Sequence, residues 1–253
     1  MALLNRLTSA VDPELALDAE VRALNAQYEG ADAQTVLRAA VREQYPGEIA
    51  LVSSFGADSA VLLHMVAEID PATPVIFVDT GKLFPATLRY RDDLVDRLGL
   101  TDVRSQKPAS EDLAEKDAGG MLWMSDTDAC CHIRKVLPLD VALDGFSSWI
   151  SGRKRFQSSS RASLGLFEAD DGRIKVNPLA DWSPGDVLDY ARDHDLPPHP
   201  LVAQGYPSIG CLPCTDKVKP GEDPRAGRWR GQDKTECGIH LPTHGREIDG
   251  SGI

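Results

Sequence analysis

The spacing of apolar positions changes several times along the chain. Before residue 45 they recur at helical intervals, which predicts one helix after Asp12-Pro13 and a second over Ala33 to Glu43. Pro13 pre-sets a first helical turn, and Pro46-Gly47 ends the pair. Short apolar runs then alternate with helical patterns. Strands are predicted at Ile49 to Ser53, Val75 to Val78 and Asp102 to Ser105, and helices at Ser59 to Ile69 and Pro85 to Leu98. Strands of four or five residues separated by helices of about 10–15 residues indicate right-handed βαβ units and a parallel sheet. Ser148 to Ser151 is a further strand, Ile174 to Val176 closes a small hairpin after Asp171-Gly172, and Ser183-Pro184 opens a helix through Val187 to His194. After about Leu196 the chain turns rich in Pro, Gly and charge, the composition of loops or of a mobile tail. The expected architecture is α/β, a twisted parallel sheet with helices on both faces. It divides into N-terminal helices (1–45), an α/β unit (46–214) and a tail (215–253).

Composition narrows the class without changing that picture. The 253 residues carry a formal charge of −12, with 42% apolar and 6% aromatic residues, which argues against a broad nucleic-acid surface. The longest near-apolar stretch, Ala60 to Ala67, contains His64 and is far too short to span a bilayer. The start, MALLNRLTSAVDPELALDAE, shows no charged segment followed by a clean apolar run, so a soluble, cytoplasmic protein is expected. Five cysteines change the picture more: the adjacent Cys130 and Cys131, the pair Cys211-x-x-Cys214, and Cys237 alone. An odd number does not suggest a disulfide framework. Four plus one suggests a four-thiolate site, for Zn²⁺ or an iron–sulfur cluster, and a separate reactive thiol. Neighbouring helical side chains diverge by about 100°, which suits a cluster with several metal corners better than one small ion.

Three loops carry candidate anion chemistry. Ser53-Ser54-Phe55-Gly56-Ala57-Asp58-Ser59 joins a predicted strand to a predicted helix, where small residues and a helix amino terminus favour a phosphate. It lacks the spacings of Walker A and of the dinucleotide fingerprint, and it resembles the SGGxDS loop of the PP-loop adenine-nucleotide family. Phe55 stands where a second Gly often stands, so its bulk is expected to narrow the cradle. Asp79-Thr80-Gly81 follows the next strand at the same edge and would wall an adenosine site. Gly152 to Arg161 (GRKRFQSSSR) holds four cations and no acid, as a phosphate or sulfate requires, although a solvated basic turn is the plainer reading. In the tail, Arg225, Arg228, Arg230 and Lys234 precede Cys237, and nearby cations make a thiol a better nucleophile. His240 would orient substrate or thiol. No further cysteine remains to resolve an adduct on Cys237, so a second thiol would come from another molecule.

Taken together, SSFGADS, VDTGKLFP, CCHIRKVLPL, SGRKRFQSSSR, GYPSIGCLPC, RAGRWRG and ECGIH resemble the assimilatory sulfonucleotide reductases, in particular those with a cluster that act on adenylyl sulfate. The likeness runs from about Ile49 to His240. It implies a Rossmann-like PP-loop (adenine-nucleotide alpha-hydrolase) fold. It also implies one [4Fe–4S] cluster held by Cys130, Cys131, Cys211 and Cys214, with Lys135 reaching the phosphosulfate beside it. Arg225 and Arg228 would clamp the same group from the tail, and Arg161 and Arg153 from the basic loop. Ser53 and Gly56, with the surroundings of Gly81 and Gly152, would line the adenosine. Ala86 stands where Glu is common after Phe-Pro.

The implied reaction converts adenosine 5′-phosphosulfate to AMP and sulfite through an S-sulfonate on Cys237, discharged by thioredoxin or glutaredoxin. The resemblance also implies a homo-oligomer. Two rivals share parts of the pattern: an ATP-dependent tRNA-thiolating enzyme, and a reductase of the 3′-phosphorylated nucleotide. A non-enzymatic iron–sulfur or zinc sensor would leave the arginine clusters without a role.

Overall fold

The structure is a computed structural model and describes residues 12–232 and 234–240. Helix α1 (Pro13–Gln27) starts where Asp12 accepts from the Glu14 amide and proline takes the first turn. Helix α2 (Ala33–Ala39), capped by Asp32 on the Thr35 amide, runs into a π turn at Ala40–Gln44. The sequence pattern anticipated one continuous helix here.

A six-stranded sheet follows, with strands β1 (Ile49–Val52), β2 (Val75–Val78), β3 (Val103–Gln106), β4 (Ser148–Ile150), β5 (Phe167–Asp170) and β6 (Arg173–Val176). Their spatial order is β3-β2-β1-β4-β6-β5. All pairings are parallel except β5 with β6, the hairpin expected at Asp171-Gly172. Helices α3 (Ser59–Ile69) and α4 (Pro85–Leu98) are the βα crossovers, with the bounds the pattern predicts.

Alternation in the central strands serves two buried faces, as a parallel sheet requires. Ile49, Leu51, Val75, Phe77 and Ile150 enter the main core with α1 to α4. Ala50, Ile76 and Trp149 point the other way, against Leu139 and Leu143. Leu139 lies in the last member of a helical series the pattern did not resolve, and Leu143 caps its end. The series comprises α5 (Ser110–Lys116), α6 (Leu122–Ser125), α7 (Thr127–Cys131), a π turn at His132–Val136 and α8 (Leu137–Ala142). These helices are too short for a clear period, and α5 buries no residue. Helix α9 (Pro184–Asp193) opens on a Ser183–Asp186 capping box and returns to the main core through Val187.

The loops after β1, β2 and β4 leave the same edge of the sheet, where open α/β folds place their ligands. Beyond Leu196 the described chain contains only short 3-10 turns and two isolated bridges, Leu83 with Cys211 and Thr215 with Arg228.

Candidate active site

The β1–α3 loop is built by its own backbone. Ser53 continues the sheet through its amide to the Ile76 carbonyl, and its hydroxyl accepts from the Phe55 amide at 3.2 Å. The Gly56 amide donates to Ser59 Oγ at 2.8 Å. Phe55 does not narrow the cradle. Its φ of 48° turns the ring away from the loop into the main core, where it is fully buried and meets Phe77 edge-on at 5.5 Å. A left-handed aromatic residue costs about 1–2 kcal/mol, and burying the ring offsets that. The crevice side is therefore left to backbone and small side chains. At the neighbouring strand end Gly81, with φ 70°, has the Arg134 guanidinium close to its Cα. After β4, the Gly152 carbonyl accepts from Lys154, whose ammonium also pairs with Asp58 at 3.2 Å.

The four paired cysteines converge. Cys130 and Cys131 end α7, whose N-cap Asp126 accepts from the Ala129 amide. Cys211 and Cys214 flank a 3-10 turn stiffened by Pro213. All four are buried and unpaired, and they line one pocket with Lys82, Trp123, Thr127, Arg134, Lys135 and Pro213. Burial pushes the thiol of Cys130 up to about 11 and that of Cys131 up to about 12, so these groups lose their protons only to a cation that binds them. The donor set is all sulfur, it is enclosed, and lysine and arginine stand beside it, where they would offset the charge of bound thiolates. Trp229 packs on Cys211 and Cys214, and its buried indole N–H has no partner. Thr80 Oγ1 lies 3.2 Å from Cys211 Sγ. Among the described residues no three His, Cys, Asp or Glu side chains are placed to hold a single metal ion.

The fifth cysteine sits beside this pocket. Lys135, in the π turn after the cysteine pair, points its Nζ to Cys237 Sγ at 3.8 Å. Burial raises the Cys237 thiol, but the charge of Lys135, the Ile239 N–H and Arg228 more than reverse that, so its pKa lies below the ordinary value. Burial alone would lower Lys135, and the surrounding sulfurs of Cys211, Cys237 and Cys131 instead hold it firmly protonated.

Four contacts dock the tail. Gln232 accepts from Thr127 at 2.6 Å, and Lys234 pairs with Asp128 on α7. Ile239 packs on the second core, and His240 stacks on Trp149 with an interplanar angle of 7°. Burial and the charges of Lys175, Arg153, Arg161 and Arg225 drive His240 well below the usual imidazole value, so it is neutral, and its Nδ1 has no partner.

The predicted arginines take three placements. Arg161 and Arg225 meet at Glu236: Arg161 forks onto its carboxylate at 2.6 and 2.8 Å, and Arg225 lies 3.7 Å from Oε1. Arg228 stacks on Trp229 at 4.4 Å and donates weakly to the Ile209 carbonyl, leaving its Nε unpartnered. Arg153 instead turns into the frame, against Glu168 and Asn177.

Sequence reasoning overlooked several groups here. Glu236 was inside the quoted ECGIH, but its carboxylate had no assigned partner. Asp117, which holds Arg134 at 2.5 Å, lies in a stretch without a motif. Trp149 was placed only in a strand and Trp229 only in the quoted RAGRWRG, without a role for either ring, and Thr80 in a turn.

Fold and site define a class: an adenine-nucleotide type of α/β sheet whose carboxyl edge carries a four-cysteine pocket and a lone cysteine among cations. The chain belongs to the phosphoadenosine phosphosulfate reductase domain family, which residues 48–217 match. A curated relative from Mesorhizobium japonicum, an adenosine 5′-phosphosulfate reductase, is 54% identical over 91% of this chain and 91% of its own. One of the same name from a Chelativorans species is also 54% identical, over 89% of this chain and 94% of its own. Among solved structures, phosphoadenylyl-sulfate reductase from Candida auris in a phosphate complex superposes with a TM-score of 0.67 at 28% identity, covering 79% of this chain and 97% of that one.

Proposed function

We propose that this chain is an adenylyl-sulfate reductase of sulfate assimilation, converting adenosine 5′-phosphosulfate to AMP and sulfite at Cys237. The observation that carries the reading is the Lys135–Cys237 contact of 3.8 Å beside the four-cysteine pocket. Adenylyl sulfate, rather than its 3′-phosphorylated form, is the substrate after which the 54%-identical relatives are named. Family membership also favours reduction over the ATP-dependent thiolating alternative.

The nucleotide sulfur is electrophilic but screened by anionic oxygens. Lys135 and Arg228 offset that charge, and Arg225 and Arg161 extend the same positive surface. The Cys237 thiolate attacks sulfur, a new S–S bond forms, and the S–O bond breaks with its electron pair leaving on the AMP phosphate. His240, neutral and stacked on Trp149, holds the residues after the nucleophile and offers Nδ1 to the substrate. An external thiolate then attacks Cys237 Sγ and expels sulfite. A second thiol of the same partner, thioredoxin or glutaredoxin, releases Cys237 as a thiol and leaves the partner oxidised to a disulfide. For that exchange the segment around Cys237 opens, and Gly231, with φ 80°, gives the chain before it a left-handed turn between the docked segments. Cys130, Cys131, Cys211 and Cys214 would hold a [4Fe–4S] cluster, which would supply negative charge beside Lys135 and tie together the segments that present it. Free thiols of this kind suit the reducing cytoplasm.

The test is a single turnover of the anaerobically purified holoenzyme with sulfur-labelled adenosine 5′-phosphosulfate and no added thiol, followed by intact mass and peptide mapping. One SO₃ increment on Cys237, released as sulfite by thioredoxin, is the expected result. A protein with its chromophore intact that gains no increment would overturn the reading.

A further inference from the structure

We propose that the Glu236 carboxylate is an internal occupant of the anion pocket formed by Arg161 and Arg225, and that a nucleotide anion takes its place there on binding. The proposal rests on the preceding reading that this pocket receives a nucleotide. Glu236 and Arg161 are 9% and 6% exposed, so each charge needs a partner. The two make a fork-to-carboxylate contact, Nε to Oε2 at 2.6 Å and Nη2 to Oε1 at 2.8 Å, the geometry an arginine also presents to phosphate or sulfate. Arg225 approaches the same Oε1 at 3.7 Å and donates to the Thr235 carbonyl at 3.2 Å.

The placement of this carboxylate separates it from the other acids at the site. Arg153 is balanced by Glu168 on β5, Lys154 by Asp58 at the start of α3, and Arg134 by Asp117 after α5. Those three acids belong to the frame. Glu236 precedes the nucleophile on the tail, and its Oε1 also accepts the Cys237 amide at 2.8 Å. With the pocket empty, docking the tail brings a carboxylate to Arg161 and Arg225. When a nucleotide anion arrives, two negative groups compete for one fork, and the carboxylate is the one that turns aside, its backbone keeping Cys237 beside Lys135. Glu236 thereby sets the affinity of the site for anionic substrate and product.

The experiment titrates AMP and, separately, inorganic phosphate into the cluster-loaded wild type and its Glu236→Gln variant by calorimetry. Removing the competing charge while keeping the shape should tighten both probes roughly five- to tenfold. A carboxylate that only latched the tail would give unchanged or weaker binding in the variant, and that result overturns the proposal. Glu236→Ala should move both affinities in the same direction, and its failure to do so counts equally against it. If AMP binds wild type no better than phosphate does, the nucleotide reading fails, while the phosphate comparison still decides the role of Glu236.

Discussion

A single methyl group at Gly210 should disarm Arg228 without unfolding the protein. A Cβ built there would lie 2.3 Å from Arg228 Nη2 and 2.6 Å from Cζ, so the guanidinium must withdraw by more than roughly 1 Å to reach van der Waals distance. The side chain can yield, because its contacts are a stack on Trp229 and a 3.4 Å hydrogen bond to the Ile209 carbonyl. Stability should therefore change by less than about 1 kcal/mol. A charge-assisted hydrogen bond to the phosphosulfate is worth about 1.5–3 kcal/mol, so Gly210→Ala should lower kcat/KM roughly 10- to 100-fold. The assay is sulfite release against nucleotide concentration, with melting followed in parallel. In a double-mutant cycle the pair Gly210→Ala with Arg228→Ala should lose little more than Arg228→Ala alone. Gly227→Ala is the contrast: its Cβ would meet the Asp216 carbonyl oxygen at 2.2 Å, and backbone cannot step aside. That variant should lose the Thr215–Arg228 bridge and expose the tail to protease. Full activity in Gly210→Ala, or additive losses in the cycle, would refute the assignment of Arg228 to the anion.

Three other perturbations have defined outcomes. Cys237→Ser should keep the fold and the iron content of the four-cysteine site yet form no S-sulfonate, as read by intact mass and iron assay. Asp117→Asn removes the carboxylate from a pair whose side chains are 1% and 8% exposed, and breaking such a pair costs about 3–5 kcal/mol, so the melting temperature should fall well below wild type. His199 is buried between Thr87 and the Leu201 amide, and burial lowers its imidazole from 6.5 to about 4. The folded state thus refuses a proton that the unfolded chain accepts. This contribution is complete above pH 6.5 and is lost as pH falls toward 4, up to about 3 kcal/mol. Relative to His199→Gln, wild type should lose that advantage in denaturation measured from pH 7 down to pH 4.5, and a constant difference across the range would contradict the account.

The βαβ part of the fold was legible because period and punctuation agreed: Pro85 opens α4 and Gly99, with φ 63°, closes it. The segment 110–142 was opaque because its helices span four to seven residues and are set by long-range partners such as Asp117 with Arg134. At the site, cysteine spacing set Cys130, Cys131, Cys211 and Cys214 together, and they line one pocket, while the tail motif singled out Cys237, which lies beside Lys135. Whether an arginine faces a ligand or a frame carboxylate was not written in the basic loop: Arg153 and Arg161 lie eight residues apart and turn to Glu168 and Glu236. Phe55 shows the same limit. A backbone dihedral, invisible in composition, sends the ring into the core rather than the cradle.

The π turn at His132–Val136 separates the length of the chain from its register. A π turn holds one residue more than an α-helix needs over the same rise, so it absorbs an extra residue between the cysteine pair and the core-facing Leu139. Removing one residue from the regular helix on either side would instead rotate everything beyond it by about 100°. Either Cys130 and Cys131 would then leave the pocket, or Pro138 and Leu139 would leave the interior. Within the turn, a descendant of this sequence that keeps Lys135 can lose a residue and stay in register; in the flanking helices it cannot.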